Sequence, residues 1–532
     1  MTSKLIVVTG AFAIILHAHL PFVRHPEHED FLEEDWLYEA ITETYLPLIR
    51  MMRRLADEGL AFKLTLSLTP TLCAMLRDEL LQQRYLRHLE RLIALAQQET
   101  ERNRHHAQLF ALSQFYAHFF REARDYFEAD LKRDVVRAFC ELQREGFLEI
   151  IASAATHAFL PLLDGFPEVQ RAQIRIGCDD YRETFGCEPS GFWLPECGYS
   201  AGLDSILQEA NLRWFVLDTH GLMFARPRPR HALFAPCYTP AGLAAFARDR
   251  ESSHEVWSAE SGYPGDPVYR DFYRDVGFDR SEEELQPFVR PSGLRKFTGL
   301  KYHRVTGRTN EKEFYNRSWA EATADEHAED FFKKHQARFA ELAEMNFDPI
   351  IVSPFDAELF GHWWFEGPRF LESFIRMATQ DQQSFRLTTP SEFLAAHPSQ
   401  QVVRPNPSSW GENGFSGVWL DDNNTWIYPH LHAAARHMTE IARKNRDTSE
   451  PVIERALKQS ARELLLAQSS DWAFLMKTRT APEYAVRRTK EHLLRFNRLY
   501  EQTIAHEIDI GFLLECEARS NVFPNLNWRY YV

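Results

Sequence analysis

Three absences narrow the reading of this 532-residue chain before any motif is considered. No stretch approaches the roughly 20 consecutive apolar residues that a membrane-spanning helix requires, so a membrane partner is not expected. Positive charge is in deficit: 61 Lys and Arg against 76 Asp and Glu leave a formal net charge of −15 at pH 7. That balance disfavours a nucleic-acid partner, because phosphate binding needs clustered cations and gains from counterion release. Close cysteine pairs are also missing. The seven cysteines (Cys73, Cys140, Cys178, Cys187, Cys197, Cys237 and Cys516) form an odd, scattered set without metal-ligand spacing. Neither a disulfide framework nor a zinc knuckle is expected, and a reducing cytoplasm is the simplest home. The apolar run 5–16, preceded by Lys4, has the look of the apolar part of a signal peptide. Thr9 and Gly10 interrupt it, and it flows into His17-Ala18-His19-Leu20-Pro21, so cleavage there would sever a strand that carries candidate site residues. The expectation is a soluble monomer or weak homo-oligomer.

What the chain has is apolar and aromatic mass. Hydrophobic residues make up 44% and aromatics 13%, with 12 Trp and 40 Phe. A core absorbs Phe readily, whereas Trp is a costly filler unless its N–H finds a partner. Two stretches combine these rings with acids: Trp193-Leu194-Pro195-Glu196-Cys197-Gly198-Tyr199-Ser200 and Ser353-Pro354-Phe355-Asp356-Ala357-Glu358-Leu359-Phe360-Gly361-His362-Trp363-Trp364. Each sets an acid directly after an apolar run that reads as a buried strand. Two carboxylates flanked by aromatic surfaces suit the cleavage of a glycosidic bond, where one acid protonates the leaving oxygen and the other stabilises or attacks the sugar cation.

Short apolar runs recur at 12–16, 62–68, 147–152, 191–194, 213–217, 349–353 and 385–388, separated mostly by long helical patterns. Such alternation implies a parallel sheet buried on both faces, and seven runs suggest a barrel. His17, His157, Glu196, Asp218 and Asp356 then close or follow strands, where a barrel places its active site. Residues 75–145 read as a helical excursion. The Pro- and Arg-rich segment 220–242 reads as a long loop, with the length of a lid. Residues 249–318 are turn-rich and aromatic. A shift to Pro and Ser at 398–409 marks the end of a barrel domain over 1–400, with an inserted loop region at 200–320, and the start of an α-helical domain over 401–532.

Each candidate has a plain alternative. Glu196 at a strand-to-loop junction is either a catalytic acid or a solvated one. Asp356 sits beside Phe355, Phe360, Trp363 and Trp364, surfaces that disfavour its charged form as a general acid requires. Glu358 and Glu366 compete for that role; alternation along an extended segment points Glu358 the same way as Asp356. His17 and His19 share one strand face and in the alternative reading form a metal pair, with His157 or Asp356 as the third ligand. Otherwise they hydrogen-bond sugar hydroxyls or the carboxylates. Trp257, Trp410, Trp419, Trp426 and Trp472 lie near polar neighbours and offer flat faces to a pyranose ring, whose hydroxyls would meet Arg248 and Asp471.

The stretches at 17–21, 156–161, 193–199 and 356–364 resemble successive signature regions of glycoside hydrolase family 57. The segments 246–249, 256–266, 409–411, 419–420, 426–432 and 466–472 are similar to its 1,4-α-glucan branching enzyme subgroup more than to its amylases. The resemblance implies an α/β fold, an incomplete (β/α)7 barrel with helical insertions and an α-helical C-terminal domain. It implies Glu196 as nucleophile and Asp356 as general acid/base. By the same resemblance His17, His157 and Trp257 would line the site, and Arg248, Gly265, Trp410 and Asp471 would contact an α-glucan; His19, His362 and Trp419 are further substrate-binding candidates on the residues alone. No cofactor or metal is implied. The family's loop over the site commonly presents a tyrosine thought to favour transfer over hydrolysis; between 220 and 240 this chain offers only Tyr238, with His231 and Phe234 nearby. The expected chemistry is a retaining double displacement that ends in attack by a sugar 6-hydroxyl, with an α-glucan hydrolase or 4-α-glucanotransferase as alternatives. Retention calls for carboxyl groups about 5 to 5.5 Å apart. A metal-dependent deacetylase and a non-catalytic glucan-binding protein are the more distant rivals.

Overall fold

The computed structural model describes residues 10–258, 260–290, 293–380 and 382–532. The start of the apolar run at 5–9, and Ala259 within the segment 256–266, lie outside the described residues. Among the described residues nine strands form one sheet: β1 (Ala11–Ala18), β2 (Leu64–Leu68), β3 (Leu148–Ser153), β4 (Gly191–Trp193), β5 (Trp214–Leu217), β6 (Cys237–Tyr238), β7 (Ala244–Ala247), β8 (Ile350–Asp356) and β9 (Arg386–Leu387). Their order is β6-β7-β5-β4-β3-β2-β1-β8, with β9 beside the start of β1. From β7 through to β8 all neighbours are parallel, and only β6 runs antiparallel. The sheet curls until Asp249, just past β7, donates its N–H to Val352 O on β8 at 2.7 Å. No ladder joins these two ends among the described residues, so the barrel is incomplete.

Residue size explains the curl. Ala11, Ala13, Ile15, Ile151, Trp193, Trp214, Val216, Ala244, Phe246, Ile350 and Val352 form the inner cluster. Alanines on β1 and β7 leave room for the two inward indoles. The alternate residues face helices: Phe12 packs against Phe331, Phe374 and Phe385 at 5.5–6.1 Å. Both faces are buried, as a parallel sheet demands.

The seven parallel barrel strands differ by one from the seven runs read in the sequence. The run at 385–388 forms β9, which pairs only Ala11 and Phe12 at the base of β1. The missing barrel strand is β7, Ala-Ala-Phe-Ala, whose small residues lack the branched signature of a strand. Beyond His220, which stays on Asp218, the segment 220–242 runs toward the opposite end of the barrel. A chain that leaves β5 at its carboxyl end must return to the opposite end to enter β7 in parallel. Its contacts show that path: Ile350 at the start of β8 donates to Phe234 O at 2.8 Å, Arg226 and Arg404 exchange backbone bonds, and His231 stacks on Phe347 at 4.1 Å.

Helices Glu79–Arg102 and Ala107–Asp125 fill the connection from β2 to β3. The C-terminal helices Ile427–Lys444, Pro451–Ala467, Ser470–Thr478 and Pro482–Ala505 share one continuous hydrophobic core with the barrel. At the centre of helix Pro451–Ala467, Glu463 is fully buried and accepts from His492 Nδ1 at 2.6 Å and Arg495 Nε at 3.0 Å. Burial alone would raise this carboxyl, but those two partners hold it down to about 2. No described helix is long and apolar enough to cross a membrane.

Candidate active site

The period of two that fills the barrel interior continues past it into polar side chains. After Ile15 comes His17, after Val216 Asp218, after Phe246 Arg248, and after Val352 and Pro354 Asp356. The strands are parallel, so these residues collect at one end of the barrel. The loops after β3 and β4 add His157 and Glu196, both in the left-handed region at φ 56° and 61°. That conformation is unfavourable for residues with a Cβ and clusters where function fixes the backbone.

Glu196 is held from two sides. Trp410 Nε1 donates to Oε2 at 2.7 Å, and the Ser470 hydroxyl donates to Oε1 at 3.1 Å. Trp410 meets Trp193 edge-on at 5.0 Å, and its other neighbour is the Arg248 guanidinium, 5.3 Å from the ring. Arg248 in turn reaches Asp218 at 3.5 Å, and Asp218 pairs with His220 Nδ1 at 2.9 Å. On the other flank, Trp193, His17 and His157 layer their rings at 4.6 and 4.9 Å, within 20° of parallel. His19 pairs through Nε2 with Asp471 at 3.0 Å and through Nδ1 with Thr69 at 2.9 Å.

Burial sets the protonation pattern. It pushes Glu196 up to about 7, with the charges of Asp356 and Asp471 adding and the Trp410 hydrogen bond opposing. Burial pushes Asp356 further, to about 8, with Glu358 adding and the Arg248 cation opposing. Burial also holds the imidazoles of His17 and His157 well below the usual histidine range, so both are neutral. Asp471 goes the other way: burial would raise it, but His19, His157 and the Ser469 hydroxyl bring it down to about 2. The arrangement therefore offers one ionised acid beside one protonated acid across a slightly alkaline window, the pairing that acid–base and nucleophilic work requires.

Other sequence-predicted residues fall elsewhere. The turn Ala357–Leu359 coils directly after Asp356 and breaks the expected alternation. Glu358 turns toward Tyr45, whose hydroxyl it accepts at 2.5 Å, and toward the His19 N–H at 3.2 Å. Glu366 accepts from Tyr315 at 2.6 Å. His362 belongs to a neighbouring buried network, with Nδ1 at 2.7 Å from Glu43, which also binds Arg270 at 2.9 Å. Trp419 is 1% exposed and stacks on Phe159 at 4.3 Å, so its face is already filled, and Trp472 is buried as well. Trp257 is 44% exposed and meets the edge of the exposed Trp363 at 5.9 Å, which leaves a face for a ligand. Gly265 ends the short turn Tyr263–Gly265 in a surface hollow with Glu255, Asp266, His327 and Lys334.

Sequence reasoning missed Ser67, Thr69, Tyr45 and Ser470. Ser67 and Thr69 extend the inward period of β2 and were legible in principle; Ser470 stands in the resembling segment 466–472 beside Asp471, but nothing local to it points to Glu196. The ligand set of the alternative metal reading changes too. His19, His157 and Asp471 bring ligand atoms within 4.8 Å of one another. Both nitrogens of His157 and both of His19 already have hydrogen-bond partners. The donors fit a closed hydrogen-bonded cluster rather than an open coordination shell.

Residues 13–405 match the model of glycosyl hydrolase family 57, and residues 430–531 match the C-terminal model of 1,4-alpha-glucan branching enzymes. The 1,4-alpha-glucan branching enzyme TK1436 of Thermococcus kodakarensis is 33% identical over 97% of this chain and 77% of that protein. The crystal structure of that enzyme in complex with glucose and additives superposes with a TM-score of 0.89, covering 98% of this chain and 96% of the other. The alpha-amylase AmyC of Thermotoga maritima superposes with a TM-score of 0.92 at 44% identity, covering 98% of this chain and 99% of the other.

Proposed function

The chain belongs to glycosyl hydrolase family 57, and on that premise we propose that it is a retaining 1,4-α-glucan branching enzyme that cuts an α-1,4 linkage and rejoins the fragment as an α-1,6 branch. The observation that carries this reading is the segment matching the branching-enzyme C-terminal model: it delivers Ser470 and Asp471 to the barrel mouth, one onto Glu196 and the other onto His19. In the proposed cycle Asp356 gives its proton to the glycosidic oxygen while the ionised Glu196 captures the anomeric carbon. Asp356 then takes the proton of an incoming 6-hydroxyl, which displaces Glu196. Arg248, Trp410 and Asp471 would hold the sugar at the barrel mouth, and Trp257 with Trp363 would extend an apolar track beyond it.

Hydrolysis is the second reading. The 44% identity to the alpha-amylase AmyC favours it, as does the path of 226–238 away from the barrel mouth. Linkage analysis of amylose treated with the purified protein separates the two. New α-1,6 linkages with little gain in reducing ends support branching; reducing ends without α-1,6 linkages make the chain a hydrolase.

A further inference from the structure

One feature of the barrel mouth goes beyond these roles. Four hydrogen bonds run end to end: Ser67 Oγ to His17 Nδ1 at 3.1 Å, His17 Nε2 to His157 Nε2 at 2.9 Å, His157 Nδ1 to Ser470 Oγ at 2.9 Å, and Ser470 Oγ to Glu196 Oε1 at 3.1 Å. Two hydroxyls and two neutral imidazoles supply four protons for four bonds. Such a chain has two directions only, all protons toward Glu196 or all away from it. An ionised carboxylate accepts and cannot donate, so it selects the first. Ser470 then donates to Glu196 and accepts from His157 Nδ1–H, His157 Nε2 accepts from His17 Nε2–H, and His17 Nδ1 accepts from the Ser67 hydroxyl. No ring nitrogen of His17 or His157 is left over for a sugar hydroxyl while the chain is intact.

We propose that Ser470 is a positioning residue for the nucleophile: supplied by the C-terminal helices, it closes an oriented hydrogen-bond chain from β2 through His17 and His157 that fixes Glu196 and favours its ionised form. This rests on the reading of Glu196 as nucleophile. Two links of the chain lie within the barrel and its loops, and the other two form only when helix Ser470–Thr478 is docked, with the Ser470 N–H on His157 O at 3.1 Å. The Trp410 indole on Oε2 holds the other oxygen, so the two contacts together set the plane of the carboxylate.

The other titratable groups facing Glu196 are Asp356 from β8, Asp471 from helix Ser470–Thr478, His19 from the segment after β1, and His157 itself at 3.9 Å. Asp356, Asp471 and His19 keep their partners in Ser470→Ala, whereas His157 loses its acceptor, so the acid limb reads the loss of the Ser470 hydroxyl and of the chain behind it together. The profile of kcat/KM on soluble amylose is to be measured for the native chain, Ser470→Ala and Ser470→Thr. Loss of a hydrogen bond to a charged group should move the acid limb of Ser470→Ala up by about one to two pH units and so lower kcat/KM on that limb about 10- to 100-fold. Ser470→Thr, which keeps the hydroxyl, should restore the native limb. An unmoved limb in Ser470→Ala, or a moved limb that Ser470→Thr fails to restore, overturns the proposal. Glu196→Gln, assayed alongside, separates the two levels. If it stays active, the nucleophile assignment fails; if it is inactive while Ser470→Ala keeps the native limb, only the hydrogen-bond chain fails.

Discussion

Glu196 and Asp356 are chemically similar acids that the fold makes unlike. Both are raised by burial, but Glu196 has an indole and a hydroxyl donor on its two oxygens, whereas Asp356 has the neighbouring Glu358 charge against it. With values of about 7 and about 8, the ionised–protonated pair is most populated between them. The kcat/KM profile on amylose should therefore be a bell, rising as Glu196 ionises and falling as Asp356 loses its proton. A profile flat from pH 6 to 9 would contradict the assignment. Glu196→Gln keeps the shape of the side chain without its charge and should lower kcat by about three orders of magnitude or more, with glucan affinity nearly unchanged in equilibrium binding. Both acids were legible in the sequence because each follows a buried apolar strand and stands among aromatic residues. The contact of Ser470 was not, because the resemblance of 466–472 marks the segment but not which carboxylate, far away in the chain, packing brings to its serine.

At the scale of elements, the segment after β8 shows what local backbone geometry contributes. Gly361 has φ 118°, and a Cβ there would stand 1.8 Å from Glu43 O. The turn that follows Asp356 can thus lie directly on the segment Ile41–Tyr45, which carries Tyr45 to Glu358 and Glu43 to His362. Gly361→Ala should cost about 2–4 kcal/mol, since it adds a backbone clash to a disfavoured conformation, and should lower kcat by displacing the turn behind Asp356. Gly59 is the control: φ is 78°, but nothing lies within 4 Å of its Cβ position, so Gly59→Ala should cost only about 1 kcal/mol. Thermal denaturation of the two variants checks the difference; equal losses would mean that the approach at Gly361 is not tight. Elements with strong hydrophobic patterns, such as β1, β8 and the α-helical run of the C-terminal region, were legible for the same reason that they are stable. The Ala-rich β7 was hidden because its smallness answers to Trp193 and Trp214, which lie on other strands, and the path of 220–242 was hidden because it is set by the parallel entry into β7.

Over the whole molecule, the buried ionisable groups tie stability to the same protons as activity, with opposite preference. Glu196, Asp356, Glu358 and Asp180 are raised to about 7 or 8, so the folded chain keeps protons that the unfolded chain releases near 4. Their contribution is full below about pH 4 and is lost as pH rises through 7 to 8. His25 and His335, lowered to about 4 by burial, and His492, lowered to about 3, act in reverse; their contribution is present above about 6.5 and is lost as pH falls. These slopes oppose each other up to about 6.5, above which only the acids continue to act. Glu43, Glu463 and Asp471, held near 2 by their cationic and hydrogen-bonding partners against the effect of burial, withdraw their stabilisation as pH drops below about 4.5. The melting temperature should therefore peak on the acid side of neutrality and decline through the pH range where the active-site pair works. Asp356→Asn removes one ionisation from that decline while preserving shape. It should melt a few °C above the native chain at pH 8.5 and above it by less at pH 5.5, the gap closing toward pH 4, in the direction expected when an active site holds groups that its surroundings disfavour. A variant that melts below the native chain at both pH values would show that the Asp356 carboxyl is not kept protonated by burial, and the role of general acid would lose its physical basis.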